Sequence, residues 1–135
     1  MLKASQAGCR YFAGVFAVGF LLGVPRTLVL VPRVGEVVAV LIELPVILGA
    51  SWLICGRILQ QASLSRVAAV VMGASALALL LTAELSISML LANRSLAAHL
   101  ALYSETAHRL GLAGQLAFAL FPVLQTMRRH TPGTG

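Results

Sequence analysis

The sequence predicts an all-α integral membrane protein: a small bundle of four transmembrane helices, with an interfacial amphipathic helix between the third and fourth spans. Three observations predict it. The 135 residues are 59% hydrophobic and only 10% charged, whereas soluble domains carry about 25% charged residues. The mean hydropathy is +0.95. Apolar runs long enough to cross a bilayer recur along the chain, separated by short stretches of breakers and basic residues. A chain this short leaves too large a surface to hide so much apolar sequence in water, so the lipid bilayer is its solvent. All of residues 1–135 read as one membrane domain.

The first span covers residues 11–31. Lys3 and Arg10 precede it as they would a signal peptide, but the apolar stretch runs past any small-x-small cleavage site and reads as a retained anchor. Gly19-x-x-x-Gly23 offers a face for close helix contact. Pro25 removes a backbone donor and kinks the helix just before Arg26. A rival reading ends the helix at Val24. Pro32-Arg33-Val34-Gly35 forms a turn.

The second span, residues 36–56, is about 31 Å long at helical rise. It holds Glu43 and Pro45, with Trp52 near its far end, where an indole favours the interface. A polar loop carrying Gln60, Gln61, Ser63 and Ser65 leads to the third span, residues 67–92, which is long enough to require tilt. Ala69-x-x-x-Gly73 and Ala74-x-x-x-Ala78 are its small-residue faces, and Glu84 lies in its last third.

Residues 95–109 carry Leu96, Leu100, Tyr103 and Ala107 at helical spacing, with Glu105, His108 and Arg109 elsewhere on the wheel, the pattern of an amphipathic interfacial helix. The fourth span, residues 110–127, contains Gln115 and Pro122 and is stopped by Arg128-Arg129-His130. Residues 131–135 form a frayed tail.

Charge follows the ends of the spans. The net charge is +6, from ten Lys+Arg against four acids, all of them Glu. The basic residues form no stripe, which argues against a nucleic-acid partner. An even number of spans puts both termini on one side. That side collects Lys3, Arg10, Arg57, Arg66, Arg128 and Arg129, against Arg33, Arg94 and Arg109 on the other. The positive-inside rule then expects a bacterial inner-membrane protein with both termini cytoplasmic. Cys9 and Cys55 fall at the cytoplasmic interface and are expected to stay reduced.

The candidate site is a polar cluster within the spans. Arg26, Glu43 and Glu84 each lie about 9–10 Å in from the outer face at helical rise. Ionisable groups at that depth are functional-site candidates by default. One Arg neutralises one Glu, so the surplus carboxylate is left for a proton, a cation or an amphiphile with a polar head. Glu36, which shares a helix face with Glu43, and Asn93, Arg94, His99 and Tyr103 supply an outer entrance or lid. Ser88 shares a face with Glu84.

The preferred role is binding at Glu43 and Glu84 with Arg26 as counter-charge, in a transport-related setting. The alternative is a non-catalytic accessory or structural subunit, in which an Arg–Glu pair clamps the helices. A second alternative is a metal-dependent membrane enzyme, because Glu105-x-x-His108 has the spacing of di-iron helices and Glu43, Glu84 and His99 offer further ligands. The small-residue faces suit a homo-oligomer or a larger membrane complex. No cofactor is specified by the sequence, and no motif carries a family resemblance.

Overall fold

The computed structural model describes residues 2–130, so the tail at 131–135 lies outside the described residues. These residues form helices α1 (Leu2–Pro25), α2 (Val31–Val34), α3 (Glu36–Gln61), α4 (Arg66–Leu90), α5 (Leu96–Ala101) and α6 (Thr106–His130). A π-helical segment, Arg26–Leu30, joins α1 to α2, and a 3-10 turn, Leu102–Ser104, follows α5.

Among the described residues four helices are long and apolar enough to cross a membrane: Leu2–Val34, Glu36–Gln61, Arg66–Leu90 and Thr106–Arg129. They run up and down in turn. Each packs against two neighbours, in the cyclic order α1, α4, α6, α3.

The element boundaries have local causes. The first helix begins at Leu2 rather than residue 11, because Ala4 and Ala7 are almost wholly buried and Gly8 is pressed against α4. Pro25 does not end the helix. Past it the backbone widens into the π turn, with Val31 N–H reaching Arg26 O, and α2 extends the rod to Val34. The reversal into α3 is made by Gly35 at φ +84°, a left-handed conformation that glycine adopts without a Cβ penalty. Ser65 caps α4 by accepting from Ala68 N–H at 3.2 Å, and Ser95 caps α5 by accepting from Ala98 N–H at 3.1 Å.

The 95–109 segment is helical in two pieces. Ser104 turns its hydroxyl back to Ala101 O at 2.8 Å, and Glu105 is extended at φ −83°, ψ 139°, so α6 starts at Thr106. Leu96 and Leu100 face outward while His99 turns inward and is buried.

Packing is uneven along the bundle. Buried side chains concentrate where α1 and α4 begin and α3 and α6 end: Tyr11, Val15, Cys55, Ile58, Met72, Ala76 and Phe118 form the core. Helices in lipid gain little from apolar burial against one another and rely on close contact at small residues. Gly8 and Gly73 provide that contact. A Cβ at Gly73 would run into the Ala119 carbonyl, and one at Gly8 would lie 2.8 Å from Met72 O. Of the small-residue faces on α4, Ala69 with Gly73 is buried, but Ala74 and Ala78 point outward. Gly19 and Gly23 touch only the ends of the Ile47 and Arg26 side chains and make no backbone approach to another helix. Cys55 is buried in the core, near the end of α3.

Tyr11 spans the centre of the bundle. Its ring stacks on Phe118 with centroids 4.2 Å apart, and its hydroxyl donates to Phe118 O at 2.6 Å. In a regular helix that carbonyl would accept from residue 122, but Pro122 has no N–H to give. Other polar side chains in the spans bond back to their own helix: Ser51 to Ile47 O, Thr82 to Ala78 O, Ser86 to Thr82 O and Thr126 to Pro122 O.

Candidate functional site

Beyond the core the helices part and enclose a cavity of about 710 Å³. All four long helices line it. Its walls are mainly apolar, with Phe16, Ile47, Leu48, Leu80, Leu112 and Phe118 among them. Phe20, Val24 and Leu28 of the first rod and Ile87 of α4 border it and are exposed, so its rim is apolar as well.

The three charged residues singled out in the spans all line this cavity. Arg26, the first residue of the π segment, directs Nε to Glu43 Oε2 at 2.6 Å. The proline thus stands directly before the residue that makes the ion pair and the widened turn begins at it, and π segments recur at functional positions. The pair is partly shielded, with side-chain exposures of 34% and 17%.

Glu84 is bound differently. Its Oε1 accepts from Gln115 Nε2 at 2.5 Å. Gln115 Oε1 is buried and has no hydrogen-bond partner among the described residues. Gln115 belongs with the site although the charge pattern did not single it out; an amide inside an apolar run was the signal. Glycines let the helices come together at this level: a Cβ at Gly114 would lie 2.7 Å from Leu44 Cδ2.

The closure at this end of the cavity involves fewer residues than the entrance expected from sequence. Tyr103 and His108 line the cavity, but Glu36, Asn93, Arg94 and His99 do not. Glu36 and Asn93 are exposed. Arg94 folds back to donate from Nη1 to Ser88 Oγ at 3.3 Å, so Ser88 serves the α4–α5 turn rather than Glu84. His99 is buried and packs against the Tyr103 turn. The rings of His99, Tyr103 and His108 meet edge-on, with centroid separations of 5.7, 6.4 and 5.1 Å. Arg109 Nε donates to Tyr103 O at 2.9 Å and ties this turn to α6. Burial pushes the Tyr103 phenol above its ordinary value, and the neighbouring Glu84 carboxylate adds to the shift.

The ligand set of the metal reading does not assemble. Among the described residues no group of three or more His, Cys, Asp or Glu side chains lies close enough to hold a metal ion. Glu105 is exposed in the break before α6 and does not line the cavity.

Comparison with protein-family models, curated proteins and solved structures finds no match. The fold itself defines the class, a multi-pass, all-α membrane protein, and a functional reading rests on the cavity.

Proposed function

We propose that the cavity binds a small amphiphile with a cationic head, in a transport-related role. The observation that carries this reading is the division of partners among the charges. Arg26 is committed to Glu43, which leaves Glu84 facing the cavity with an amide donor and, among the described residues, no cation paired to it. An unmatched carboxylate in an apolar site favours a cationic guest or a proton. The volume and apolar walls favour a guest with a hydrophobic body over a bare ion. Gln115 holds the carboxylate in place, and the Tyr103–His108 turn covers the head.

The orientation belongs to the same reading: a bacterial inner membrane, both termini cytoplasmic and the cavity nearer the outer face. The positions of Lys3, Arg10, Arg57, Arg66, Arg128 and Arg129 support it. An impermeant thiol reagent applied to intact cells should label a cysteine introduced at Ser95 and spare one at Ser63.

Calorimetric titration of the detergent-purified protein with tetraphenylphosphonium, against neutral triphenylphosphine oxide, tests the binding. The cation should bind more tightly. Glu84→Gln should remove the preference and Glu105→Gln should keep it. Equal affinity for the two probes, or a preference that survives Glu84→Gln, would defeat the reading and favour a structural clamp in a non-catalytic membrane subunit.

A further inference from the structure

A second pocket lies at the opposite end of the bundle, where α3 and α6 both terminate. It encloses about 520 Å³ and is lined by Trp52, Arg57, Gln60, Gln125, Arg128 and Arg129, among others. None of the chain's four glutamates borders it. Two of its arginines are held in place. The Arg128 guanidinium sits 5.7 Å from the Trp52 ring centroid, and Arg129 Nη2 donates to Gly56 O at 3.0 Å. Gln125, itself buried, donates to Trp52 O at 2.8 Å and fixes the floor. Arg57 is exposed and, among the described residues, has no side-chain hydrogen bond or ion pair.

We propose that this pocket is a binding site for a phosphate group carrying net negative charge, supplied by the headgroup of an anionic lipid. Guanidinium groups match phosphate oxygens in geometry and charge, and each uses donors that one fixed contact does not exhaust. Three of them meet here around an opening with no carboxylate from the glutamates. The level fits a headgroup: Trp52 to Gln60 form the last turns of one candidate span, and Arg128 and Arg129 end another. Basic pockets between helix ends at this depth suit anionic headgroups. The pocket is separate from the cavity, and the inference does not rest on what the cavity binds.

Trp52 is the only tryptophan in the chain, so its emission reports on this pocket alone. The dodecylmaltoside-solubilised protein is titrated with mixed micelles of dioleoylphosphatidylglycerol, with dioleoylphosphatidylcholine and with inorganic phosphate. Phosphatidylglycerol should give a saturable change that phosphatidylcholine does not. Arg57→Gln should weaken it about fivefold, and the Arg57→Gln/Arg128→Gln/Arg129→Gln triple variant should abolish it, at about one such factor per arginine. Arg33→Gln, a charge loss at the far end, should leave it unchanged. Saturation by inorganic phosphate at the same affinity, with the same loss in the variants, would keep the phosphate site and overturn the lipid as its source. Indistinguishable responses to the two lipids with none to phosphate would overturn the site. So would an undiminished response in Arg57→Gln, whose side chain holds no part of the fold.

Discussion

Tyr11 gives the Phe118 carbonyl the hydrogen bond that Pro122 withholds. Tyr11 and Phe118 stand on helices that, among the described residues, are not packed side by side, so one side chain, by its ring and its hydroxyl, ties α1 to α6 across the bundle's centre. A proline within a membrane helix is tolerated when a neighbour re-satisfies the freed carbonyl, and here the neighbour can be named.

Tyr11→Phe keeps the ring stack and removes only the donor. Its expected cost is about 1–3 kcal/mol, the range for a buried acceptor left unsatisfied. Adding Pro122→Ala restores a backbone donor to the same carbonyl and should recover part of the loss. Unfolding in mixed detergent micelles measures both steps. Additive losses would mean that the hydroxyl and the proline act independently.

Arg26 and Glu43 form the second coupled pair. Arg26→Met should destabilise the solubilised protein by about 1–3 kcal/mol, since a partly buried carboxylate loses its charged partner. Glu43→Gln in that background should restore stability in part, and Glu84→Gln should not. Rescue by Glu84→Gln instead would reassign the ion pair.

Gly73 and Gly49 make a paired test of packing. Gly73→Ala drives a methyl into the Ala119 backbone and should cost at least about 1–3 kcal/mol, or separate α4 from α6. Gly49→Ala meets nothing within 4 Å and should stabilise α3 by about 0.5–1 kcal/mol. Similar effects at the two positions would show that the α4–α6 contact is looser than described.

Tyr103 sets an alkaline limit. Its phenol titrates above the ordinary value of 10.0, because burial and then Glu84 oppose the anion. A raised folded value favours the neutral form, so this contribution is complete below about pH 10 and is lost as the pH climbs through the folded value. Stability measured from pH 9 upward should fall in that window. Tyr103→Phe should remove this part of the slope, and Glu84→Gln should reduce it.

Much of this was legible in the chain. Four long apolar runs announce four spans because membrane-spanning helices need apolar length above all. The convergence of Arg26, Glu43 and Glu84 followed from helical rise alone. Other features were hidden for physical reasons. Lys3 and Arg10 disguised the start of α1, because the buried face there is made of Ala4, Ala7 and Gly8, too small to register as apolar. The choice of Glu43 over Glu84 as the partner of Arg26 depends on side-chain reach between packed helices, which helical rise does not express. Gln115 joined the site because α4 and α6 pack side by side, and helix adjacency is not written in hydropathy. His99 turned inward beside Tyr103 and His108, a preference for ring contact that a helical wheel does not express.

The gradient in packing gives the molecule a floor. Tyr11, Met72 and Cys55 pack the section of the bundle next to the cavity, and Phe118 belongs to both that core and the cavity wall. In this shape the bundle is a cup and not a conduit. Under the proposed reading, a guest would be held and returned to the side it came from, and passage through would require the Tyr11–Phe118 tie to break and the glycine contacts at Gly8 and Gly73 to slide. The residues that make the fold stable are therefore the same residues that would bar the way across.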